Sequence, residues 1–228
     1  MLPLRDNIPS KTTPFVNYAL IAVNAAFFAH ELTLGRQLQP FMTHWGVVPL
    51  RYAAAGMLAK IGPLHYFGPL FVSMFLHGGW MHILSNMWCL YIFGDNVEDT
   101  LGHGKYLAFY LLCGLAAGAA QVWASWGSPY PTIGASGAIA GVMGAYMVLF
   151  PSARVLTLVP LFVFVRLMEI PASLFLGLWI WSQFYSGTLA LAQAGRLGGI
   201  AWWAHIGGFL AGIVLLGVFL GGRRRRAY

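Results

Sequence analysis

Among the polar side chains inside otherwise apolar stretches of this 228-residue chain, five stand out for their chemistry: His77, His82, Asn86, Ser136 and His205. Polar groups in such surroundings are costly and are functional by default. His82 and Asn86 are four residues apart, so one helical face presents both. A serine becomes a nucleophile when a base takes its proton, and histidine is the usual base. Acyl transfer also needs donors for the developing oxyanion, which His82, Asn86 and the Ser136 amide could supply. The six acids are Asp6, Glu31, Asp95, Glu98, Asp99 and Glu169, and the reading puts none of them in this layer. The pattern predicts a Ser–His dyad, not a triad. A zinc site on His77, His82 and His205 ranks lower. There is no HExxH, because His30-Glu31 lacks the second histidine, and Ser136 has no use there. Read from the residues alone, the histidines serve a hydrolase and a channel or transporter equally well.

The elements that must position these residues are membrane spans. The chain is 59% hydrophobic and 8% charged, with mean hydropathy +0.70. A soluble domain carries about 25% charged residues, so both a soluble globule and a disordered chain are excluded. Apolar runs predict six spans, at about 15–34, 69–93, 106–123, 136–150, 170–192 and 201–220. The expected fold is all-α, a polytopic membrane helix bundle. Its parts are an N-terminal segment over 1–14, the membrane domain over 15–220 and a basic tail over 221–228. The first run is long for a signal peptide and is read as a retained helix. Residues 35–68, with many aromatics, predict a loop lying in the interface. Residues 155–165, split by Pro160, are read as interfacial or re-entrant.

The fourth run is short. Pro131 and Pro151 bracket it, and its 15 residues over 136–150 would rise roughly 22 Å as a helix, less than a ~30 Å hydrocarbon core. One end must lie below the membrane surface, where irregular backbone needs protein cover or a wet cavity. This puts Gly134, Ala135 and Ser136 in a submerged pocket. In a soluble protein the net charge of +7 would suggest nucleic acid; here it reads as a topology signal and no nucleic-acid partner is expected. Arg5, Lys11, Lys105, Arg154, Arg166 and Arg223 to Arg226 fall on one side. Arg36, Arg51, Lys60 and Arg196 fall on the other. Both termini are therefore expected in the cytoplasm. The arginine tail reads as a retention charge, with anionic lipid as the alternative partner.

Gly137 and Gly141 in the fourth span, and Ala204, Gly208 and Gly212 in the sixth, make small faces that let backbones approach. If the two faces meet, Ser136 and His205 come together. Trp88, Trp179, Trp181, Trp202 and Trp203 read as interface anchors or packing. Asp95 and Glu98 read as caps or partners of Lys105. Cys89 and Cys113 read as buried, inert thiols.

Three segments carry a resemblance: His77-Gly78-Gly79-Trp80-Met81-His82-Ile83-Leu84-Ser85-Asn86, Gly134-Ala135-Ser136-Gly137-Ala138-Ile139-Ala140-Gly141 and Ala204-His205-Ile206-Gly207-Gly208. In order and spacing they resemble the rhomboid family of intramembrane serine proteases, in its six-helix bacterial form, over about 15–220. The resemblance implies Ser136 as nucleophile and His205 as general base. It implies His82 and Asn86 as oxyanion donors and His77 as a residue shaping the water-filled cavity. It implies transmembrane protein substrates cut near the outer surface of a cell membrane, with no cofactor or metal. The gate would lie around Trp179 to Phe184, and the cap at Gly199 to Trp203. Two features depart from the pattern. Ala140 stands where some members place an aromatic ring on the histidine, so His205 must be oriented otherwise. No Trp-Arg pair occurs between Gly35 and Gly68. The alternative is a non-catalytic member that binds membrane clients, which would be expected to lack the serine or the histidine.

Overall fold

A computed structural model describes residues 1–161, 164–192 and 201–221. Arg196, the first part of the expected cap and the arginines at 223–226 lie outside the described residues. The chain runs β1 (Leu2–Asp6), α1 (Phe15–Thr33), α2 (Leu38–Trp45), α3 (Pro49–Ala53), α4 (Met57–Val72), α5 (Trp80–Leu101) and α6 (His103–Ala124). It continues through α7 (Ser136–Leu149), β2 (Arg154–Leu161), β3 (Phe164–Pro171), α8 (Ala172–Ala192) and α9 (Trp202–Leu220). Among the described residues α1, α6 and α9 are long and apolar enough to cross a membrane. The molecule is mostly helical.

Helix α7 is the axis of the bundle, and every residue from Gly137 to Tyr146 is buried. It can be central because its surface is small. A Cβ at Gly137 would stand 2.5 Å from Ala117 Cβ of α6, and one at Gly141 would stand 2.5 Å from Cys113. On α9, a Cβ at Gly208 or Gly212 would collide with the carbonyl of Gly137 or Gly141. The small faces meet, and the backbones of α7 and α9 touch. Cys113 is buried in this contact region and Cys89 is partly buried.

Two expectations are corrected. The fold is not all-α, because β1, β2 and β3 form an antiparallel sheet in that order. The 155–165 segment, read as interfacial or re-entrant, is most of a hairpin in which Arg154 pairs with Pro171 and Leu161 with Phe164. Val155 and Thr157 point to the bundle and are fully buried. Pro160 is tolerated because it lies past Leu158, the last β2 residue that β1 pairs. The sheet also joins the N-terminal segment to the α7–α8 connection, so Arg5 and Arg154 sit at one end of the bundle.

The second apolar run is not one helix over 69–93. The chain leaves helix after Ser73–Phe75, turns through His77-Gly78-Gly79 and starts α5 at Trp80. The turn is fixed from outside: the Ser73 carbonyl accepts from Gly134 N at 2.8 Å, and Glu31 accepts from His77 N at 3.1 Å. Helix α5 then continues past Phe93 because its polar end has partners. The fully buried Glu98 accepts from Val16 N at 3.0 Å and Asn17 N at 2.7 Å, satisfying first-turn amides of α1. Asp99 accepts from Lys11 N and Thr12 N. Glu98 is thus a cap supplied from another helix. Lys105, expected as its partner, donates to the Phe219 carbonyl at 3.2 Å instead.

Candidate active site

Ser136 is the first residue of α7. Its own N–H, at a helix N-terminus, has no intrahelical acceptor and sits at the positive end of the helix dipole. Its position is set by the loop before it. Thr132 and Val47 exchange backbone hydrogen bonds at 2.9 Å, and Gly134 follows with φ +123°. A Cβ at Gly134 would stand 2.7 Å from His82 Nε2, so a side chain there is excluded by both conformation and space. Ala135 is fully buried under the loop.

His205 lies in the first turn of α9. Its Nε2 is 2.8 Å from Ser136 Oγ, and its Nδ1 is 2.7 Å from Gln183 Oε1 of α8. An amide oxygen only accepts, so Nδ1 carries the proton and Nε2 accepts from the serine hydroxyl. The Gln183 amide is itself oriented. Its Nε2 donates to Ser182 Oγ at 3.0 Å and to the Trp179 carbonyl at 3.4 Å, which leaves the oxygen for His205. The Trp179 ring lies 5.8 Å from the imidazole at 33°, and Trp202 meets it edge-on at 6.4 Å. These two tryptophans, read from sequence as anchors or packing, face the histidine. With Ala140 small and buried, Trp179 supplies the ring contact that Ala140 cannot.

Across the site, His82 lies in the first turn of α5. Its Nδ1 accepts from Gly78 N at 3.3 Å, so Nε2 carries the proton and is a donor beside Gly134. Asn86 follows one turn later and is buried, and its amide nitrogen has no acceptor among the described residues. A cavity of about 1360 Å³ is lined by Ser136, His205, His82, Asn86, Trp179 and Gln121, among others. Gln121 also orders the α9 terminus, accepting from Ala204 N at 3.1 Å.

The structure therefore brings Ser136, His205, His82 and Asn86 to one cavity. His77, expected to shape that cavity, does not line it. It is 1% exposed and packs behind His82, ring centroids 5.0 Å apart. Glu31, placed by the sequence reading away from this layer, is buried against the His77 backbone. No three His, Cys, Asp or Glu side chains among the described residues group as a metal site, so the zinc arrangement is not assembled. Gln183 was missed. Its signal was available: it is a polar residue one turn after Trp179 in an apolar span, so both share one face.

Fold and site together define a helical, membrane-type protein with a hydrogen-bonded serine–histidine pair in the lining of a cavity. A family model, the Rhomboid domain, matches residues 65–222, and the chain belongs to the rhomboid family. Rhomboid protein 1, mitochondrial, of Saccharomyces cerevisiae is 31% identical over 149 residues, covering 62% of this chain and 39% of the yeast protein. The human presenilin-associated rhomboid-like protein, mitochondrial, is 26% identical over 170 residues, 72% of this chain and 40% of that protein. Rhomboid protease GluP of Bacillus subtilis is 38% identical over 85 residues, 37% of this chain and 16% of that protein. The chain thus spans two fifths or less of the length of these relatives.

Proposed function

We propose that this chain is an intramembrane serine endopeptidase that cleaves transmembrane segments of other proteins. The observation that carries the reading is the 2.8 Å contact between Ser136 Oγ and His205 Nε2, made by a histidine whose other nitrogen is already committed as a donor. Ser136 attacks the peptide carbonyl while His205 Nε2 takes the hydroxyl proton. The oxyanion is held by His82 Nε2–H, the Asn86 amide and the Ser136 N–H. His205 then protonates the leaving amine, and water from the cavity releases the acyl group by the reverse of the same steps. No residue of this set requires a cofactor.

The membrane setting supports the substrate class. Helix α7 has 14 residues, which rise roughly 21 Å against a ~30 Å hydrocarbon core. Ser136, at its N-terminus, is then submerged and opens to the cavity, where it meets peptide bonds at membrane depth. We assign α1, α5, α6, α7, α8 and α9 as six spans in a cell membrane. Both termini are cytoplasmic by the distribution of Lys and Arg.

The test is cleavage of a transmembrane model substrate by the purified chain in liposomes, beside Ser136→Ala and His205→Ala. Cleavage by the wild type that is lost in both variants is expected. Persistent cleavage in a pure Ser136→Ala preparation would overturn the reading.

A further inference from the structure

We infer that Gln183 is a positioning residue: it holds His205 in the Nδ1–H tautomer and so makes the Ser136–His205 pair a neutral Ser–His–Gln relay. The inference rests on the hydrolase reading above for its kinetic consequence, but its structural content stands apart from it.

A neutral imidazole can carry its proton on either nitrogen, and only the Nδ1–H form offers Nε2 to the serine. In Ser–His–Asp sites a carboxylate makes that choice. Here, among the described residues, no carboxylate pairs with His205. The group in that place is the Gln183 oxygen, 2.7 Å from Nδ1. Gln183 is 6% exposed, so water does not compete freely for its amide oxygen. Its amide nitrogen is held by Ser182 Oγ and the Trp179 carbonyl, and a flipped amide would lose both bonds and set two N–H donors against Nδ1–H. The groups that face the ring are Ser136 from α7, Trp179 and Gln183 from α8, and Trp202 on α9 itself. His82 of α5 is the titratable group across the site.

The consequence is a division of labour between helices. Helix α7 supplies the nucleophile and α9 the base. Helix α8 selects the tautomer through Gln183 and steadies the ring through Trp179, one turn apart on the same face. Withdrawal of α8 from α9 would release both contacts together and leave Ser136 beside a histidine free to choose the unproductive tautomer. A glutamine also differs from a carboxylate in one respect: it accepts from Nδ1–H but adds no charge to stabilise the imidazolium.

Two readouts on the full chain in detergent test this. The first uses Ser136 phosphonylation by a fluorophosphonate probe. The Oγ–P bond forms, fluoride leaves, and the Ser136 proton passes to His205 Nε2. Gln183→Leu, close in volume, should slow labelling at neutral pH by on the order of 10- to 100-fold, the worth of a hydrogen bond to a group that becomes charged. Gln183→Glu should restore the rate to within severalfold of wild type. It should also move the acid limb of the pH–rate profile up by about one pH unit or more, because a carboxylate favours the imidazolium. A merely structural role predicts no such movement. The second readout is the ¹⁵N resonance pair of the His205 ring, assigned by its loss in His205→Asn. The wild type should show a protonated Nδ1 and an unprotonated Nε2, and Gln183→Leu a mixture. An unchanged tautomer in Gln183→Leu would overturn the inference whether or not the chain hydrolyses anything. So would wild-type labelling rates in Gln183→Leu, or equal losses in both variants with the acid limb unmoved. Failure of the wild type to label at Ser136 would instead count against the hydrolase reading, with the ¹⁵N result still deciding Gln183.

Discussion

The carbonyl oxygen of Gly137 on α7 faces the Cα of Gly208 on α9 so closely that no Cβ fits between them. One residue before Gly137 is Ser136, and one turn before Gly208 is His205. The glycine contact therefore fixes the spacing of the two helices at the level of the Ser136–His205 hydrogen bond. It is a packing constraint on that pair, since a donor and acceptor separated by an extra ångström no longer share a hydrogen bond.

Gly208→Ala is expected to force α9 away from α7. Overpacking of this kind costs about 1–3 kcal/mol. The variant should melt lower in detergent and lose Ser136 reactivity together. Gly217→Ala is the control: it lies on the same helix with nothing within 4 Å of the added Cβ. A Gly208→Ala protein with wild-type stability and reactivity would contradict the packing account.

His82→Ala and Asn86→Ala should each depress kcat on a transmembrane substrate. Loss of one preorganised oxyanion donor costs on the order of 10²–10³ in rate. KM should change little, because the charge they stabilise develops after binding. A loss confined to KM would remove both residues from the oxyanion role and place them in substrate binding.

Asp6, at the end of β1, accepts from the Tyr146 hydroxyl and from Asn96 Nδ2. Burial pushes its carboxyl up from 3.8 to about 6, the bond from Tyr146 opposing and Asp95 adding to the rise. The folded state then holds this proton more tightly than the unfolded chain. The group's contribution to stability is full below pH 4 and is lost as pH rises toward 6. Asp6→Asn removes that dependence. Its melting temperature relative to wild type should therefore improve as pH is raised from 4 to 7. A difference that stays flat across that range would contradict the assignment.

The site was legible in sequence for a physical reason. His82, Asn86, Ser136 and His205 are polar groups in apolar runs, where each must be explained, and α7 was bracketed by Pro131 and Pro151. The glycine faces of α7 and α9 could be read from their four-residue spacing. What was not legible depended on long-range pairing. β1 is five residues, Leu-Pro-Leu-Arg-Asp, with no strand signal until β2 lies beside it some 150 residues later. The second apolar run ends at about Phe93, before the acids that α5 goes on to carry. Its acids become tolerable only because residues from the N-terminal segment and the start of α1 donate to them. Gln183 is a neutral amide with no chemistry of its own, and it matters here only through the imidazole that the fold brings to it.

The most direct measurement is mass-spectrometric mapping of a fluorophosphonate adduct on the purified chain, beside His205→Ala. The account predicts a single adduct on Ser136, formed in the wild type and lost in His205→Ala. An unmodified Ser136 in the wild type, or an adduct that forms equally well without His205, would contradict the claim that this pair is a working nucleophile and base.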